Sequence, residues 1–256
     1  MRKGVPTIAS FGRVLAMLEA VIADGGQSSI AAIARSIAMP VATAYRQVAT
    51  LVAEGYLVVG PRGQHLAGPR LFGLLHRLDE KQIIVGCAAP LLHHLAADLG
   101  TVVQLGTFDS DMVTYRIKTG EGASALFTRV GMQLEAYCSG IGKVLLAHLP
   151  EAQLRAYLDT GPFPALTART ITDPEALVAE LRLVLQQGFA VDDGEIAEGL
   201  YCLAAPVTAP DGRVLAAISV SQMADGMRPA EQVLPVLQQT ARKIEMAAFG
   251  TSNLPK

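Results

Sequence analysis

The chain has 256 residues, of which 51% are hydrophobic and 17% charged. That length suits one or two domains with a real core, and the composition excludes a chain dominated by disorder. Formal net charge is only −2, but residues 1–77 hold eight Lys/Arg against three Asp/Glu, whereas residues 78–256 hold thirteen against twenty. One part suits a polyanionic partner and the other does not.

Cys87, Cys138 and Cys202 lie far apart, with no CxxC pair and no Cys/His metal spacing. No metal or cofactor is expected. The segment Met1–Pro6 lacks the apolar stretch of a signal peptide. No uninterrupted apolar run approaches the roughly 18 residues needed to span a bilayer. The expectation is a reduced, cytoplasmic protein with no membrane partner.

In chain order, Ser10 is a candidate N-cap for a first helix. Val14, Leu15, Leu18, Val21 and Ile22 then repeat at helical spacing, and Gly25-Gly26 stops them. Ser28 or Ser29 can cap a second helix carrying Ile30, Ile33 and Ile37 on one face. The turn Ala38-Met39-Pro40 leads into a third helix from about Val41 to Glu54, ended by Gly55. Tyr56–Val59 and Gln64–Leu66 read as two short strands around Gly60–Gly63. Helix, helix, turn, helix and hairpin is the order of a winged helix-turn-helix.

A linker helix is expected from Pro69 to about Leu78, and a long helix over Ile84–Leu99. Strands are expected at Thr101–Phe108 and Met112–Ile117, and a helix over Asp173–Gln187 with Pro174 in its first turn and Gly188 past its end. A last strand pair, Leu200–Thr208 and Arg213–Gln222, flanks the turn Ala209–Gly212. Neighbouring strands with helices between them indicate an antiparallel α+β domain.

A recognition helix enters the major groove with its N-terminal residues toward the base edges. Here these are Pro40, Val41, Ala42, Thr43, Tyr45 and Arg46. Thr43 and Tyr45 can donate to phosphate or base, and Arg46 can fork to guanine. Small side chains at Ala42 and Ala44 would admit the backbone, and Arg62 at the hairpin tip can reach the minor groove or a phosphate. The alternative is a three-helix module used for protein contact.

Three later segments carry chemistry. Cys138-Ser-Gly-Ile-Gly-Lys143 is a Gly turn opening a helix, whose free N–H groups favour an anion such as a carboxylate. It lacks the glycine spacing of a P-loop or a dinucleotide fingerprint. Asp192-Asp-Gly-Glu195 reads as an acidic loop, with Asp192 at its mouth. Ser219 and Ser221 lie two apart on one strand and so share a face. If residues 208 and 213 pair, Cys202 falls opposite Ser219. Another reading is an enzyme in which Cys138 or Cys202 attacks a small carboxylate substrate with His148 as base, although neither lies in a nucleophile motif. A pure scaffold would need neither the basic part nor the polar pocket.

The stretch Ile30-Ala-Ala-Ile-Ala-Arg35, Pro40, Thr43-Ala-Tyr-Arg46 and Leu51-Val-Ala-Glu-Gly-Tyr56 resembles the IclR family of transcription regulators. Val41 and Ala42 depart from it, since the family often carries a basic or hydroxyl pair after the proline. The GK, D..E, G..C and SxS segments of the C-terminal half resemble the family's effector domain. Together the resemblance covers about residues 8–248.

It implies an α+β protein: a winged helix-turn-helix over 1–69, a linker helix over 70–85, and a GAF/profilin-like effector-binding domain with an antiparallel sheet over 86–256. It implies as partners a double-stranded DNA operator and a small-molecule effector, an oxo-, hydroxy- or aromatic acid, and a homodimer or homotetramer. The positions matching the family's ligand contacts are Gly140, Ile141, Asp192, Cys202, Ser219 and Ser221, with Leu200 as an apolar wall.

Overall fold

The structure is a computed structural model and describes residues 8–224 and 227–250. The chain divides into two compact units between Leu78 and Asp79.

The first unit begins with α1 (Ala9–Asp24), α2 (Ile30–Ser36) and α3 (Val41–Ala53). Ser10 does not cap α1. The helix starts at Ala9 with Ile8 before it, and no side chain caps it. Gly25 closes α1 in the left-handed conformation that favours glycine. Of the two serines weighed for α2, Ser29 is the cap, accepting from the Ala32 N–H. Met17, Val21, Ile30, Ile33, Ala44, Val48 and Leu51 form this unit's core. Ala44 therefore faces inward, where its small side chain lets the helices approach, rather than toward a groove. The hairpin β1 (Leu57–Val59) and β2 (His65–Ala67) pairs Leu57 with Ala67. A short helix α4 (Pro69–Leu75) follows.

The second unit opens with α5 (Glu80–Leu99), four residues earlier than the apolar periodicity indicates, because Asp79 caps it through the Lys81 N–H. Two helices, α4 and the start of α5, thus share residues 69–85. Among the described helices, α5 alone is long and apolar enough to cross a membrane, but Ile84, Ala88, Leu92, Leu95 and Leu99 form a stripe buried in the core.

Next come β3 (Val102–Asp109), β4 (Met112–Thr119), β5 (Gln133–Glu135), α6 (Gly140–Ala147), α7 (Glu151–Leu158) and α8 (Pro174–Gln187). The unit ends with β6 (Ala190–Asp193), β7 (Leu200–Thr208), β8 (Val214–Met223) and α9 (Ala230–Phe249). The helix expected over 173–187 is present, capped by Asp173 and stopped by left-handed Gly188. The six strands form one sheet in the order β5-β4-β3-β8-β7-β6, and every neighbouring pair is antiparallel. One face buries its apolar residues under α5 and α9. The other buries them with α6 and α8, and this second face carries the site.

Candidate functional site

In the first unit the recognition helix separates its two faces cleanly. Ala44, Val48 and Leu51 are buried, while Ala42, Tyr45, Arg46, Ala49 and Thr50 are exposed. The exposed set follows the i, i+3, i+4, i+7, i+8 pattern of one helix face. Ala49 and Thr50 belong to that face and were missed by a reading confined to the first turn. Pro40 is the exposed N-cap. Thr43 is half-buried, and Val41 packs against the core. Arg62 is exposed at the hairpin tip, where its N–H donates to Gln64 Oε1 at 2.9 Å.

In the second unit the expected register fails by two residues. Thr208 pairs with Val214, and a bulge between Val207 and Thr208 brings Cys202 opposite Ser221 and Ala204 opposite Ser219. Because side chains alternate with period two, a slip of two keeps Ser219, Ser221 and Cys202 on one face. The acidic segment is not a loop at its start. Asp192 lies in β6, paired with Cys202, and its side chain is 0% exposed.

These strands and α6 enclose a cavity lined by Gln104, Tyr115, Gly140, Ile141, Asp192 and Ser219, with Leu200 and Cys202 also on its wall. Its free space is about 10 Å³, room for about one water. Ser221 sits one layer behind, donating from Oγ to Gln104 Oε1 at 3.1 Å and accepting from Cys202 Sγ at 3.3 Å. Gln104 and Thr128, also cavity residues, carry no sequence signal. Each is one polar residue in an apolar strand or a loop, and only the sheet order brings them together.

The end of α6 at this cavity is its N-terminus. Ser139 caps it by accepting from the Gly142 N–H at 3.1 Å. The N–H groups of Gly140 and Ile141 occupy the first two helical positions, where no partner exists inside the helix. The glycine that the packing demands is Gly142 rather than Gly140. A Cβ at Gly142 would lie 2.0 Å from the Ala136 carbonyl oxygen, whereas one at Gly140 would come no nearer than 3.3 Å to the Ala204 methyl and 3.7 Å to Cys202.

Asp192 Oδ1 accepts from the Glu195 N–H at 2.8 Å, and its Oδ2 finds no partner among the described residues. Burial pushes its carboxyl up to about 7, and the negative Glu195 adds to the rise, against the Glu195 N–H and Lys143. Lys143 is itself buried, bonded to Glu180 at 3.0 Å and to Glu195. This buried ammonium with two carboxylates is a structural knot beside the cavity, and its charge reaches Asp192 without Lys143 joining the lining.

Both Cys138 and Cys202 are buried, and their thiols are shifted away from the thiolate form. Burial pushes the Cys138 thiol up to about 12, with Asp192 and Glu195 adding to it, and raises Cys202 in the same way. His148 Nδ1 is tied to the Val144 carbonyl at 2.8 Å. It follows the C-terminus of the eight-residue α6, whereas Cys138 precedes its N-terminus, roughly 12 Å away along the helix axis.

Comparison with known proteins is consistent with both units. The IclR helix-turn-helix domain matches residues 10–61, and the bacterial transcriptional regulator IclR C-terminal domain matches residues 76–246. The Pca regulon regulatory protein of Pseudomonas putida is 31% identical over 248 residues, 95% of this chain and 85% of that protein. Among solved structures, the Thermotoga maritima IclR is 26% identical with a TM-score of 0.61, covering 96% of this chain and 100% of that one. The C-terminal domain of the Escherichia coli regulator KdgR is 30% identical with a TM-score of 0.60, covering 66% and 99%.

Proposed function

The chain belongs to the IclR family of bacterial transcription regulators, and we propose that it is a DNA-binding regulator whose effector is a small carboxylate. The carrying observation is the cavity at the N-terminus of α6. Two first-turn N–H groups of α6, of Gly140 and Ile141, meet there with the buried side chain of Ser219 and with the orphan Oδ2 of Asp192. N–H groups at a helix N-terminus attract an anion. An ionised Asp192 would repel one. Held near neutrality by burial, it can instead carry a proton and donate a hydrogen bond to the ligand. Leu200 and Ile141 supply apolar wall, and the small space favours a short oxo- or hydroxy-acid over an aromatic one.

On this reading residues 1–69 bind the operator, 70–85 link, and 86–256 sense. DNA is read by the exposed face of α3, centred on Tyr45 and Arg46, with Arg62 on the flanking backbone. The protein acts in the cytoplasm as a homodimer or homotetramer on a pseudo-palindromic operator, a two-fold protein matching a two-fold site. The effector changes operator affinity by binding one arrangement of the paired DNA-binding units better than the other. One relative is the regulatory protein of the Pca regulon, and control of genes that process the bound acid is the corresponding role here.

Calorimetric titration with oxo-, hydroxy- and aromatic acids, together with mobility shifts on DNA selected from a random pool, tests both halves. The expected result is one or more acids that bind and change operator affinity. Binding of none, or binding without any change on DNA, would refute the reading.

A further inference from the structure

The loop between β4 and β5 closes one side of the cavity through Leu126, Phe127 and Thr128. It is pinned at both ends. A Cβ on Gly120 would lie 2.0 Å from the Thr101 carbonyl oxygen, and the Gly131 N–H donates to the Tyr115 carbonyl at 2.7 Å. In between, Thr128 is gripped twice. Lys118 Nζ donates to its carbonyl, and also to that of Leu126 at 2.8 Å, while Gln104 Nε2 donates to its hydroxyl at 2.7 Å. Lys118, Gln104 and Ser219 stand in one row across β4, β3 and β8.

The Gln104 amide has a defined orientation. The Cys202 thiol donates to Ser221, and Ser221 donates to Gln104 Oε1. The amide oxygen is thereby engaged, and the amide N–H groups face Thr128 and the cavity. About 10 Å³ of free space holds no organic acid, since a single water occupies roughly 30 Å³ of liquid. Something must move. The strands and α6 belong to the core, whereas the middle of the loop is held mainly by the Lys118 and Gln104 bonds.

We propose that Thr128 is a latch occupying, in the empty site, the place of the effector's second polar group on Gln104 Nε2. Gln104 is then a specificity-determining residue that selects acids bearing a second acceptor a few carbons from the carboxylate. The inference rests on the carboxylate reading of the site. When such an acid binds, its acceptor takes the Gln104 N–H, Thr128 is released, and residues 122–130 move outward to make room. An acid with a hydrocarbon tail displaces Thr128 without replacing its bond, and the orphaned amide disfavours it.

The test uses the full chain and the variants Thr128→Val, Gln104→Met and Lys118→Met, in two arms. Without ligand, amide hydrogen exchange over residues 122–130 should rise about fivefold or more in Thr128→Val and Lys118→Met, with the rest of the second unit unchanged. With ligand, calorimetry compares matched pairs, succinate with butanoate and 4-hydroxybutanoate with pentanoate. The wild type should prefer the two-ended acid of at least one pair about tenfold. Gln104→Met should lose that preference by binding the one-ended acid about tenfold more tightly, since no amide is then orphaned, and Lys118→Met should keep it. Unchanged exchange in Thr128→Val overturns the latch. A preference absent in the wild type, or retained in Gln104→Met, overturns selection by Gln104. Binding of none of the four acids by the wild type refutes the carboxylate reading and with it the selection, and the exchange arm then decides the latch by itself.

Discussion

Replacing Asp192 with Asn removes one buried ionisable group while keeping the oxygen that accepts from the Glu195 N–H. In the folded chain the carboxyl is pushed from 3.8 to about 7, chiefly by burial. The unfolded chain releases this proton near pH 4 and the folded chain keeps it to about pH 7, so the group lowers stability as pH rises across that window. At about 1.36 kcal/mol per pH unit, the loss between pH 5 and pH 8 comes to about 2.5 kcal/mol. Asn cannot ionise and should lack this component. Urea unfolding at several pH values from 5 to 8, followed by far-ultraviolet circular dichroism, measures the second unit of both proteins. The wild type should lose about 2.5 kcal/mol more than Asp192→Asn over that range. Parallel pH profiles would refute the idea that burial holds Asp192 near neutrality, and with it the role of a proton in accepting an anionic effector.

Ser219→Ala should weaken effector binding about tenfold by calorimetry with operator affinity unchanged, since its hydroxyl is the one facing the cavity; an unchanged Kd would move the site. Arg46→Ala should cost about 1–3 kcal/mol in operator affinity if Arg46 reads a base, and mobility shifts with no loss would remove it from the interface. Gly142→Ala forces a methyl to within 2.0 Å of a carbonyl oxygen. It should destabilise the second unit by about 3 kcal/mol in thermal melts and abolish effector binding. A wild-type melt would show that α6 can shift to accommodate it. Effector affinity measured at pH 6, 7 and 8 should fall as Asp192 ionises, approaching about tenfold per unit above pH 7, and a flat profile would mean that the ligand does not need the proton.

What the sequence by itself determined is local. The serine cap at 28 or 29, the Asp173-Pro174 start and Gly188 stop of α8, and the 3.6-residue periodicity of α3 each depend on groups within a few residues, so these elements were legible, whereas β5, α7, β6 and α9 were not. The shared face of Ser219 and Ser221 was legible too, since side-chain parity is set by the strand period, whereas Gly140, Ile141, Asp192 and Cys202 came as a set only from the family resemblance. The tertiary structure decided the rest. A bulge at Val207/Thr208 reset the partner of Cys202 by two residues. Pairing with β7 made an edge strand of an acidic run whose composition reads as a loop, and so buried Asp192. Close approach to Ala136 made Gly142 the obligatory glycine, and packing into the first unit's core turned Ala44 inward. Gln104 and Thr128 are 24 residues apart and meet because β4 lies beside β3 and its following loop returns over the sheet. Such contacts depend on which distant segments are brought together, and no short window of sequence contains that information.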